Sequence, residues 1–422
     1  MIGLLVGVEL VLLLEAKRRV CSLSAFDLIG GYIMACQLAY YSAQFVPVVD
    51  IAAPGQLRSH LYVNDEGLQL YFWIFLCCYG ATLGLRVTER ADVQALGGEA
   101  IAGVERWLGL VLLVCGLLAL VNVLSTDSAA LWYNRSYLLL SSTRGLAIAN
   151  GLTAMVQELS QILGVVAAFS FAVALWTGRR GLAFGFFLIL SWYVLLGLAN
   201  AGRAAAVYVF VVAAVAAVMP RRGRWLVVGG VGLVALLCLL MALGGRMTRE
   251  FGVSVIPDNF VSAVLAGPNR LLFVIGNLTQ GVFVTNDGFV LRPQHPELYK
   301  QLSFSPFPSA VDGFEGIRRI QEIRLHSYVP MSAITEVVAF GGAYTVVASL
   351  ILMLGIRLSI MVAGRGHVLL SVLAGAWLFL VFVQAGAYPL RNVFRQELIG
   401  VALLVVALWL RPATAVREVR AP

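Results

Sequence analysis

Long apolar runs alternate with short polar breaks along nearly the whole chain, until one polar stretch interrupts the rhythm. A run of about 18 or more apolar residues is long enough to cross a bilayer as a helix. Read this way, spans fall near 1–14, 25–46, 67–85, 107–125, 152–177, 182–199, 204–219, 225–244, 333–355, 368–386 and 397–411. The predicted fold is therefore all-α, a polytopic transmembrane helix bundle of about 11 spans of that length. The first run is shorter than the usual ~20 residues. Its charges, Glu15, Lys17, Arg18 and Arg19, follow the apolar residues instead of preceding them. A cleaved secretory signal has the opposite order, so this reads as a short first span. The interruption at 245–332 is too long for a connection and must hold structure of its own. It divides the chain into spans one to eight (1–244), a large loop domain (245–332), and the last three spans with a tail (333–422).

The polar breaks orient the bundle. One alternate set comprises 15–24, 86–106, 178–181, 220–224, 356–367 and the tail after 411. The other comprises 47–66, 126–151, 200–203, 245–332 and 387–396. Lys17-Arg18-Arg19, Arg179-Arg180, Arg221-Arg222-Gly223-Arg224, and Arg357 with Arg365 all fall in the first set. Short basic loops mark the cytoplasmic side, which puts the N-terminus and the long segment outside and the C-terminus inside. The 126–151 stretch, with Trp132, Tyr133, Arg135, Tyr137 and Arg144, is aromatic and amphipathic and suits the membrane interface.

Composition adds exclusions. The chain is 60% hydrophobic and only 12% charged, whereas soluble domains run near half apolar and a quarter charged. The net charge of +8 reflects cytoplasmic loops, so no nucleic-acid partner is inferred. Cys21, Cys36, Cys77, Cys78, Cys115 and Cys238 avoid the long segment and mostly sit in apolar runs, as small core residues do. No His-Glu-x-x-His pattern, outer paired-Asp motif or Walker loop is present, so neither a metal nor a cofactor is expected. There is no internal repeat of the transporter kind.

Within the long segment, Pro268 starts a predicted helix through Leu271, Leu272, Phe273 and Ile275. Gly316 to Leu325 reads as a second helix, with Ile317, Ile320 and Ile323 on one side. Pro293, Pro296, Pro306 and Pro308 argue for an extended stretch between them.

Topology does not explain the cations of this outer segment: Arg246, Arg249, Arg270, Arg292, Lys300, Arg318, Arg319 and Arg324. Only Lys17 and Lys300 are lysines. A GC-rich genome also favours arginine, so the information lies in where these residues stand. Arginine presents a planar, permanently charged fork that grips phosphate oxygens in pairs, and the implied ligand is anionic. Arg203 closes the short Asn200-Ala201-Gly202-Arg203 step between two spans. Arg391 and Arg395, four apart, share a helix face that would extend the cationic set. His326, beside Arg324, Ser327 and Tyr328, suits a general base. Glu336 lies in the outer part of the next span, where an acid is costly and by default functional. Glu158, with Gln157 and Gln161, forms a similar polar face.

Four features together resemble the bacterial O-antigen polymerase (Wzy-type) and oligosaccharide repeat-unit polymerase family, with the related O-antigen ligases. They are ten or more spans with one dominant outer loop, Gly202-Arg203 at an outer hairpin, the run Ser305 to Ser309 (Ser-Pro-Phe-Pro-Ser), and His326-Ser327-Tyr328 leading into Thr335-Glu336 and Phe340-Gly341-Gly342. The resemblance implies metal-independent, inverting glycosyl transfer from undecaprenyl-pyrophosphate-linked oligosaccharide at the periplasmic face of the bacterial inner membrane. It also implies a possible chain-length regulator protein as partner. In that reading Arg203, Arg270, Arg318, Arg324, Arg391, Arg395 and Tyr328 hold pyrophosphate or sugar, and His326 or Glu336 is the base. Ligase transfer to lipid A core or protein, and transport of the lipid-linked oligosaccharide, are the competing expectations. The ligase pattern places closely spaced glycines sooner after its histidine than Gly341 stands here.

Overall fold

Apolar segments flanked by charges fold as helices because a helix satisfies every backbone polar group internally, which a bilayer demands. The computed structural model describes residues 2–20, 24–42, 66–86, 107–133, 160–218, 224–248, 250–265, 278–279, 281–289, 294–307, 313–314, 316–317, 324–326, 329–364 and 368–409. In chain order the helices are α1 (Ile2–Arg19), α2 (Ala25–Ser42), α3 (Glu66–Thr82), α4 (Leu108–Ser125), α5 (Ser128–Trp132), α6 (Ser160–Trp176), α7 (Arg180–Ala199), α8 (Ala204–Val218), α9 (Arg224–Thr248), α10 (Ile256–Leu265), α11 (Glu297–Ser303), α12 (Ala333–Phe340), α13 (Gly342–Gly364), α14 (Val368–Ala385) and α15 (Leu390–Trp409). Among the described residues, five helical stretches are long and apolar enough to cross a membrane: Leu108–Ser125, Arg180–Ala199, Trp225–Ala242, Gly342–Gly364 and Leu390–Trp409. Ile162–Trp176, Ala204–Ala217 and Leu373–Ala385 are apolar but shorter. The chain is an α-helical multi-pass membrane protein. A small antiparallel hairpin, β1 (Arg324–His326) with β2 (Val329–Pro330), is the exception among the described residues.

Two compact units divide the chain. Unit 1 joins Met1–Val93 to Ile275–Pro422, and unit 2 is Gln94–Val274. The division falls inside the 245–332 segment. Its residues 281–289 are helical, and Val282, Phe283 and Val284 are fully buried in the core of unit 1. The Phe283 ring lies 5.2 Å from that of Tyr40 in α2. Apolar packing alone drives helices together weakly in lipid, so close backbone approach between small residues matters more. Gly281 and Gly386 meet in this way: a Cβ on Gly386 would stand 2.7 Å from the Gly281 Cα.

The two ends of unit 1 differ in chemistry. At one end Arg19 donates to the Thr82 carbonyl at 2.7 Å, and Arg357 to the Leu83 carbonyl at 3.2 Å. The C-terminal turns of α1 and α3 and the C-terminal half of α13 therefore gather there. At the opposite end of α3, the Gly67 amide donates to Asn286 Oδ1 at 2.8 Å.

Three local expectations are corrected. The single predicted span 333–355 is broken: α12 ends at Gly341, whose φ of 110° terminates the helix before α13 restarts. The predicted extended Pro-rich stretch contains α11, with Pro296 as its N-cap and Glu297 in its first turn, where acids favour the helix dipole. The predicted helix Gly316 to Leu325 does not reach its end, because Arg324–His326 is a strand. Free Cys36, Cys78, Cys115 and Cys238 are buried in helices, as expected of core residues, and Cys77 is half-buried. The Pro268 helix and most of 126–151 lie outside the described residues.

Candidate functional site

The site forms where the long polar segment meets the N-terminal ends of α12 and α15, all within unit 1. Ser332 caps α12, its side chain accepting from the Thr335 amide, as N-cap serines do. The Ser332 hydroxyl also lies 3.1 Å from that of Thr285 and 2.8 Å from that of Thr335. The Thr335 hydroxyl donates to the Thr285 carbonyl at 3.1 Å. These three hydroxyls pin the buried 281–289 helix to the start of α12.

Glu336 stands one residue beyond this cluster and is 1% exposed. One carboxylate oxygen accepts from the Tyr299 hydroxyl of α11 at 3.0 Å, the other from the Leu390 amide at 2.6 Å. Leu390 is the first residue of α15, so Glu336 caps a neighbouring helix with a carboxylate, which its dipole favours. The acid is buried as the sequence implied, but both oxygens already hold donors.

Arg391 follows in the first turn of α15, where a cation opposes the helix dipole. It is also 1% exposed. Its guanidinium donates to the Leu302 carbonyl, to that of Ser305 at 3.2 Å and to that of Phe307 at 2.8 Å. The charge lies 4.6 Å over the Phe314 ring, a cation–π contact. Arg391 thus binds the first residues of the Ser-Pro-Phe-Pro-Ser run through their backbone. Its planar fork suits this task, because proline-rich backbone leaves carbonyls without amide partners. Arg395, half-buried, turns its Nε to the Arg391 carbonyl at 3.3 Å.

His295 was not singled out by any motif. Its ring is 7% exposed, stacked 4.8 Å from Tyr299 and edge-on to Phe340 at 5.3 Å. Neither ring nitrogen has a hydrogen-bond partner among the described residues. Burial, helped by the nearby Lys300 charge, lowers this imidazole from the usual 6.5 to about 4. The neutral ring therefore belongs to the folded state. Its stabilising share is complete above pH 6.5 and is lost as pH falls towards 4, by roughly 3 kcal/mol at most. In a melting series across that window His295→Phe, which keeps the stacking, should flatten the pH dependence. An unchanged slope would exclude His295 as its source. Nearby, Glu297 accepts from the Tyr344 hydroxyl and pairs with Lys300 at 3.2 Å. Those two contacts hold its carboxyl below the usual range.

The other sequence candidates are placed as follows. His326 and Arg324 occupy β1, described by their backbone. Arg270, Arg318 and Tyr328 lie outside the described residues. Arg203 belongs to unit 2, in a tight step from α7 to α8. There Ala201 takes a φ of 48°, the Gly202 amide donates to the Gly197 carbonyl at 2.8 Å, and the Gly252 amide to the Ala199 carbonyl at 2.9 Å. Glu158 and Gln157 lie outside the described residues. Compared with family models, curated proteins and solved structures, the chain finds no match.

Proposed function

We propose that this chain is a polymerase of undecaprenyl-pyrophosphate-linked oligosaccharide repeat units, an eleven-span bundle whose 245–332 segment faces the periplasm. One observation carries the reading. Two buried ionisable side chains, Glu336 and Arg391, tie α11 and the Ser305–Phe307 backbone to the N-terminal ends of α12 and α15. A loop that only connects spans needs no such anchorage, whereas a transferase must hold a polar substrate-binding layer rigidly over the bilayer. The acceptor hydroxyl oxygen attacks the anomeric carbon, the bond from that carbon to the pyrophosphate oxygen breaks, and the pyrophosphate leaves with the electron pair. Arginines of the segment, Arg324 and Arg318, stabilise that growing negative charge without a metal. Glu336 has committed both oxygens to neighbouring donors, so the hydroxyl proton passes to His326.

Purified protein in lipid nanodiscs is expected to lengthen a polyprenyl-pyrophosphate-linked repeat unit in the presence of EDTA. Abolition by the chelator would overturn the metal-independent mechanism. A deletion strain is expected to carry single repeat units on its surface; accumulated long lipid-linked chains would instead indicate a ligase.

A further inference from the structure

A cavity of about 220 Å³ lies between α3, α12, α13, α14 and α15 of unit 1, and Leu390, whose amide Glu336 holds, is part of its lining. Each helix contributes one stripe of side chains at helical spacing, for example Leu70 and Trp73, Val337, Leu352, Leu378, and Glu397. Trp73 lines the cavity and is 61% exposed, which marks the side on which it opens. The walls are apolar apart from a few groups. Thr345 donates to the Val337 and Gly341 carbonyls, and Ser349 to the Thr345 carbonyl, so both hydroxyls are consumed within the helices. Glu397 is different. No described hydrogen bond or ion pair reaches its carboxylate. Arg395, two residues away and so on the far side of the helix, turns its Nε to a backbone carbonyl. An acid set alone among apolar walls within a membrane helix is costly and by default functional. Hydrocarbon alone would fill the walls and leave the carboxylate unmet.

We propose that this cavity is a binding site for an apolar amine: a hydrocarbon body against the five helices, with its ammonium on Glu397. The matching chemistry is charge against charge in a water-poor space, with the remainder of the ligand buried by apolar contact. The proposal does not depend on the transferase reading, and binding is measured without turnover.

The test pairs adamantan-1-amine with adamantan-1-ol, which share one hydrocarbon body and differ in the cation. Binding is followed in phosphatidylcholine nanodiscs by protection of Glu397 from dicyclohexylcarbodiimide, with the adduct located by mass spectrometry. In the native chain the amine should protect at about tenfold lower concentration than the alcohol, a preference worth about 1.4 kcal/mol. Binding of both compounds to the Glu397→Gln chain is followed by thermal shift, and that preference should vanish. Ser349→Phe retains the acid but fills the cavity, and should weaken both ligands. Equal protection by amine and alcohol in the native chain overturns the proposal. So does an amine preference that survives Glu397→Gln, or binding of both compounds that Ser349→Phe leaves undiminished. The labelling experiment on the native chain stands even where a variant fails to fold.

Discussion

Arg391→Met is expected to lower stability by about 3 kcal/mol, because it leaves buried carbonyls at Leu302, Ser305 and Phe307 without their donor. For a unit of this size that corresponds to a fall in melting temperature on the order of 5–10 °C. Methionine retains much of the volume and the contact with Phe314, so the loss reports the hydrogen bonds and the charge over the ring. Lysine should rescue poorly. Its point charge reaches one carbonyl where the guanidinium fork spans several. The local effect is as specific as the global one: protease cleavage near Ser305–Phe307 should accelerate before the helices melt. Unchanged melting and unchanged cleavage in Arg391→Met would show that the guanidinium does not hold this segment. Under the polymerase reading, product length should fall with the segment's order, since the substrate layer rests on it.

The second large effect separates Glu336 from His326. Glu336→Ala strips the acceptor from the Tyr299 hydroxyl and the Leu390 amide together, at roughly 1–3 kcal/mol for each buried donor. Glu336→Gln retains one accepting oxygen but turns an amide NH₂ towards the other donor, so it should cost about half as much. His326→Ala should leave the melting temperature nearly unchanged and reduce transfer by about 10²–10⁴-fold, the usual contribution of a general base. The opposite pattern, with stable but inactive Glu336→Gln and active His326→Ala, would return the base role to Glu336.

The membrane character and five of the apolar helices were legible in the sequence because bilayer thickness imposes a length and lipid imposes an apolar composition, both local properties. Arg19 and Arg357, both from basic stretches of the sequence, meet at the end of α3. Glu336 also announced itself, since an acid in an apolar run is anomalous whatever surrounds it. Its partners did not. Tyr299 lies 37 positions away and Leu390 54, and no local pattern encodes such a pairing. Arg391 carried a visible charge, yet only folding turned it onto the backbone of a proline-containing run. His295 gave no signal at all: one histidine before a proline is unremarkable until Tyr299 and Phe340 close around it.

The long polar segment marks the limit of sequence reading most clearly. Its length and cations were evident, but 281–289 looked like part of an outer loop and is a buried helix of unit 1. Nine residues are too few to register as a span, and their burial rests on the glycine contact at Gly281 and Gly386 and on the Thr285, Ser332 and Thr335 hydroxyls. Sequence alone determined that this chain meets lipid and which residues are chemically out of place there. Tertiary structure decided which of them became anchors, because hydrogen-bond partners and cavity walls come from segments that only packing brings together.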